Sequence, residues 1–120
     1  MGLDMYLYRR IREPENENIG YWRKANAIHA WFVDNVQGGT DACQESYVPQ
    51  DELSYLLEVV NEVLVDHSKA EELLPVRQGF FFGSDEYDDG YFSDLKNTKE
   101  ILVRALCLPS DSDIYYRSSW

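Results

Sequence analysis

The sequence predicts an α+β fold, a small and mostly antiparallel sheet of three to four strands packed against three helices. Three observations lead there. Apolar residues alternate at both ends of the chain, in Leu3, Met5 and Leu7 and again around Ile114-Tyr115-Tyr116, which is the period of a half-buried strand. Between them, apolar residues recur at helical spacing in three stretches. The chain has 120 residues, 44% of them hydrophobic, which suffices for one core and hence a single domain over 1–120.

The first strand covers residues 3–8, with Arg9 to Arg12 as a continuation. Glu13 to Asn18 reads as a polar loop. Residues 20–37 are expected to be helical, because Tyr21, Ala25, Ile28, Phe32 and Val36 fall on one face and Gly38-Gly39 stops the run. Ser46 to Val48 is a very short strand. A second helix starts near Pro49, a residue suited to a first turn. Its stripe is Leu53, Leu56, Leu57, Val60, Val63 and Leu64. Lys69 to Leu74 is a helical turn ended by Pro75, and Gln78 to Gly83 a strand buried on both faces. An acidic loop over 84–90 leads into a third helix over 91–107, with Phe92, Leu95, Thr98, Leu102 and Ala105 inward. A last strand spans Asp113 to Ser118. Cys107, in an apolar run, is expected to be buried, and Cys43 to be a free thiol in a polar loop.

Charge narrows the function. The net charge is -11, and it is unevenly placed: residues 1–40 carry five acids and five bases, whereas residues 41–120 carry 17 acids and six bases. Such a field repels nucleic acid and anionic membrane and attracts basic protein surfaces. No apolar run reaches the ~18 residues of a membrane span. The absence of a basic region followed by an apolar one at the start, with two unpaired cysteines, predicts a cytoplasmic protein. The sequence holds no GxSxG, HExxH or phosphate-binding glycine loop, so a non-enzymatic role without cofactor or metal is expected. The loop Asp85 to Gly90 fails as a calcium loop, because Tyr87 and Lys96 stand where acidic ligands are needed.

Two sets of residues could bind. Glu58, Glu62 and Asp66 repeat at i, i+4, and with Asp85, Glu86, Asp88 and Asp89 they form an acidic face for a basic partner. Alternatively, Tyr21, Trp22, Arg23, Lys24 and Asn26, joined by Arg77 and Phe82, offer flat surface, positive charge and an amide, which suits a nucleotide-like ligand. His29, among Trp22, Trp31 and Phe32, is expected to be a partly buried, hydrogen-bonded histidine. The 17 aromatics exceed what the core can hold, so some should be exposed as protein or oligomer contacts.

The segments Met1-Gly2-Leu3-Asp4-Met5-Tyr6-Leu7, Gly20 to Val33, Gly79-Phe80-Phe81-Phe82-Gly83-Ser84 with Tyr87-Asp88, and Tyr115-Tyr116 with Ser118-Ser119-Trp120 resemble a family of small phage and prophage proteins. The likeness runs from end to end and carries no catalytic residues. It implies an accessory protein expressed by a phage in bacterial cytoplasm. Proteins of that context often oppose host defence, CRISPR systems included, so the expected role is inhibition of a host nucleic-acid-handling or defence complex. The alternative expectation is a sponge for a nucleotide signal.

Overall fold

The structure is a computed structural model that describes residues 2–12, 15–77 and 86–120. Four strands, β1 (Asp4–Arg12), β2 (Glu15–Arg23), β3 (Ser46–Tyr47) and β4 (Asp113–Ser119), form one sheet in the order β2-β1-β4-β3. Every pairing is antiparallel. The helices are α1 (Asn26–Asn35), α2 (Gln50–Val65), the single turn α3 (Ala70–Leu73) preceded by a 3₁₀ turn at His67–Lys69, and α4 (Asp89–Leu106). The α+β class therefore holds, and the helical turn expected before Pro75 is present as α3 beside the three longer helices.

The central pair is β1 and β4, the two strands with the clearest alternation. Leu3, Met5 and Leu7 point inward with Ile114 and Tyr116, all at most 1% exposed. Burying each such side chain stabilises the fold by roughly 1.5–3 kcal/mol. α2 turns Leu53, Leu56, Val60 and Val63 toward the same core, and α4 adds Leu95, Ile101, Leu102 and Ala105.

The expected helix over 20–37 is a correction. Glu15 to Arg23 is a strand, and helix begins only at Asn26. Pairing with β1 decides this: Met5 faces Trp22, Leu7 faces Gly20, and Arg12 faces Glu15. Gly20 and Trp22 thus point inward while Tyr21 and Arg23 point outward. The expected polar loop is likewise overturned at Glu15 to Asn18, whose backbone completes the ladder although no side chain there favours a strand. Ile19 forms a bulge between the Leu7 and Tyr8 pairs. α4 starts two residues earlier than expected because Asp88 caps it, accepting from the Tyr91 N–H at 3.0 Å. Cys107 is exposed, not buried, since it lies one position beyond the last turn of α4 and off its inward stripe. The expected strand over 78–83 lies outside the described residues.

α4 also guards the free edge of β2. Arg104 donates to the Ile19 carbonyl at 3.1 Å, and Asn97 Nδ2 donates to the Tyr21 carbonyl at 3.3 Å. Where β2 and α4 touch, Gly20 leaves no room for a side chain: an added Cβ would stand 2.5 Å from Ile101 Cγ2. Gly20→Ala is therefore expected to destabilise the protein by about 1–3 kcal/mol in chemical denaturation. Combined with Ile101→Ala, it should cost less than the sum of the two single changes.

Candidate functional site

α2 has two faces. Its inward seam is buried, while Asp51, Tyr55, Glu58, Glu62 and Val65 recur at alternating steps of four and three on the opposite side and are all exposed. Tyr55 is 52% exposed and Val65 88%. The ring of Tyr55 leans on Trp31 of α1, with centroids 6.4 Å apart, so it is anchored at one edge and open at the other. Glu62 has Lys69 at 3.9 Å, a distance at which an exposed pair contributes little. Asp66 ends the stripe and caps the 3₁₀ turn, accepting from the Ser68 N–H and hydroxyl. The Ser68 hydroxyl holds its carboxyl below the usual value, so it stays ionised.

The other acids lie at the start of α4. His67 stacks on Phe92 at 3.7 Å and 12°, which sets the end of α2 beside the first turn of α4, where Glu86, Asp88 and Asp89 are exposed. Asp85 lies outside the described residues. The acidic face is not continuous, because the groove between the two helices also takes Lys96, Lys99 and Arg104 from α4. Asp88 is committed to capping. The freest acids are thus Glu58 and Glu62, with Asp89 beyond them.

The second set is dispersed. Trp22 is 2% exposed and its Nε1–H donates to Thr98 Oγ1 at 2.7 Å, so it is a core residue and no stacking platform. Tyr21 and Arg23 lie on the outer face of the sheet and both bond Asp4. Lys24 sits at φ 56° in the turn into α1, a conformation that costs a non-glycine residue on the order of 1 kcal/mol. Asn26 is buried and accepts from the Arg77 N–H at 3.3 Å, while the Arg77 side chain pairs with Asp34 at 2.6 Å. Phe82 lies outside the described residues. Arg23, Lys24 and Asn26 do share a pocket of about 260 Å³, but Glu86, Asp88 and Asp94 line it too. Three carboxylates against two cations make it a poor cradle for phosphate.

Sequence reasoning missed a buried polar cluster. His29, 1% exposed, shares a 2.6 Å hydrogen bond between Nδ1 and the Tyr116 hydroxyl. Its Nε2 lies 3.0 Å from Asp41 Oδ2, close but poorly aligned. The other Asp41 oxygen accepts from Trp120 Nε1 at 3.0 Å. Burial, and after it Asp41 and Cys43, push the Tyr116 hydroxyl well above its ordinary value, so it remains a donor. Asp41 lies 12 residues from His29 and Tyr116 lies 87, which is why no local spacing revealed them. These contacts tie the loop after α1 and the chain end to β4. Among the described residues, no group of three or more potential metal ligands converges, and no helix is long and apolar enough to cross a membrane. Compared with known protein families, curated proteins and solved structures, the chain matches none.

Tyr116→Phe should cost about 1–3 kcal/mol by thermal unfolding, because the buried His29 Nδ1 loses its partner. A second expectation concerns pH. Burial, followed by the neighbouring Asp88, pushes the Asp94 carboxyl up to about 6 from an ordinary 3.8. The folded state holds this proton more tightly than the unfolded chain, so the contribution is complete below about pH 4 and is lost as pH rises through 6. Asp94→Asn should abolish that decline in a stability-against-pH series and raise stability at pH 7 by about 1 kcal/mol.

Proposed function

We propose that the chain works as a non-enzymatic binding protein that docks on a basic protein surface through the outward stripe of α2. The carrying observation is the pattern itself: two exposed apolar side chains, Tyr55 and Val65, set among Asp51, Glu58, Glu62 and Asp66 on one uncovered helix face. Partner surfaces that normally hold nucleic acid have complementary charge, and the aromatic anchor supplies the desolvated contact that charge alone does not. A net charge of -11 steers such an encounter. Asp88, Asp89 and Glu86 extend the same attraction beyond the His67–Phe92 stack. The resemblance to phage proteins supports a host nucleic-acid-handling or defence complex as the partner and bacterial cytoplasm as the setting. The exposed aromatics Tyr21 and Tyr47 lie on the outer face of the sheet, away from this stripe.

The test is affinity capture from a bacterial host with tagged wild-type, Glu58→Lys/Glu62→Lys and Tyr55→Ala proteins. The wild type should retain a basic protein, the double reversal should lose at least tenfold of it, and Tyr55→Ala should weaken retention about tenfold, or ~1.4 kcal/mol. Equal retention by all three would remove α2 as the docking surface.

A further inference from the structure

β1 and β4 turn Leu3, Met5, Leu7, Ile114 and Tyr116 toward the helices, so the alternate residues make up the other face of the sheet. Five of the nine tyrosines lie there: Tyr6 and Tyr8 of β1, Tyr21 of β2, Tyr47 of β3 and Tyr115 of β4. The charges of this face cancel. Asp4, Glu45 and Asp113 stand against Arg10, Arg23 and Arg117, in a chain of net charge -11. Their order along the strands is more telling than their sum. The register lines up Asn18, Tyr8, Tyr115 and Tyr47 as a row across the middle of the sheet. On β4, Arg117 lies two residues to one side of that row and Asp113 two residues to the other. On β1 and β2, the row at one end holds Asp4 with Arg23, and the row at the other end holds Arg12 with Glu15. The sign of charge therefore reverses from end to end on all three strands. The end rows pair internally, at 3.0 Å for Arg23 with Asp4 and 3.7 Å for Arg12 with Glu15, and Glu45 takes Arg10. Arg117 and Asp113 are both exposed, and among the described residues neither has an ion-pair partner. Arg117 lies over the Tyr6 ring at 5.3 Å.

We propose that this face is the interface of a reversible homodimer, in which a second copy of the chain packs on it sheet to sheet. The two-fold axis runs between the two sheets and across the strands, at the row of Tyr8 and Tyr115. Such an axis lays each strand antiparallel over its own copy. Arg117 of one copy then meets Asp113 of the other, and the reverse. Asp4 and Arg23 meet Arg12 and Glu15, and the Tyr6 ring meets Arg10. Two identical surfaces fit only where the surface complements its own image, and here each of these charges falls on the opposite sign or on a ring. A two-fold running along β4 would instead set like on like. A neutral face attracts neither phosphates nor an acidic segment. Tyrosine and arginine are the side chains most enriched where proteins meet. The α2 stripe lies on the helix side, so the acidity of each copy is held away from the joint. Edge-to-edge pairing is not open: Arg104 and Asn97 occupy carbonyls at the edge of β2, and β3 at the other edge has two residues. Strands of nine, nine, two and seven residues give a flat area of about 400 Å² per copy, before the relief of the tyrosines is added. That is the size of a transient interface, so the two copies exchange. The inference rests on the register of the sheet and not on the docking role of α2.

The test is sedimentation equilibrium of the full chain from about 5 to about 500 µM. The wild type should pass from one copy toward two across that range. Arg117→Asp and Asp113→Arg, each with an unchanged melting temperature, should weaken self-association at least tenfold, because each change sets like charges against one another at both ends of β4. An equimolar mixture of the two variants should recover the dimer, since opposite charges then face each other across the two chains. Glu58→Lys/Glu62→Lys should associate no more weakly than the wild type. A wild type that stays monomeric throughout overturns the proposal, as does wild-type association in either single variant or a mixture that remains monomeric. Loss of the dimer in Glu58→Lys/Glu62→Lys would move the joint to α2. Capture of a different protein, or of a ten-nucleotide oligothymidylate, that is lost in Arg117→Asp would give the face to another occupant. Either result overturns it as well.

Discussion

The hydroxyl of Tyr116 sits at the centre of the molecule, and the core is arranged to give it a partner. Its ring stacks on Phe32 at 4.0 Å and 7°, and Trp22 meets both rings edge-on. A phenol so buried must be hydrogen-bonded, and among the described residues it is His29 of α1 that reaches it. That bond fixes which turn of α1 lies beneath β4. Through Asp41 it also sets the loop after α1 and the indole of Trp120. With α1 placed, the helices are confined to one side of the sheet and its tyrosine face is left to solvent.

This one-sided packing separates charge as well as layers. The strands β1 and β2 come from the part of the chain whose acids and bases balance, so their share of the sheet face is nearly neutral. α2 and the start of α4 come from the part that carries the whole -11. The chain therefore presents two unlike surfaces, an acidic helix stripe with apolar anchors and an aromatic sheet face. Each satisfies its polar groups differently. The stripe leaves its carboxylates to water, where they act over a distance, and the sheet neutralises Asp4 and Glu45 in place.

Much of the fold was legible because period and burial agree in β1, β4, α2 and α4. The N-terminal part of the expected first helix was misread for a physical reason. Tyr21, Ala25 and Ile28 fit a helical spacing, yet Gly20 and Trp22 fit a strand, and only the neighbouring edge of β1 decides between them. Nothing in Glu15-Asn16-Glu17-Asn18 announces a strand, since the ladder is made by backbone. The stripe of Glu58, Glu62 and Asp66 was readable because it is periodic within one helix. The Asp41–His29–Tyr116 cluster and the five-tyrosine face were not, because register and packing join residues far apart in the chain. Trp22 was misassigned as a ligand platform for the same reason: its inward direction follows from the Met5 pairing.

The central claim, that docking is driven by charge on the helix side, is tested most directly by the association rate constant with the captured partner as a function of ionic strength. Steering by exposed acids predicts a fall of about tenfold or more between 0.05 and 0.5 M salt, with dissociation changing much less. A rate that stays flat over that range would contradict it.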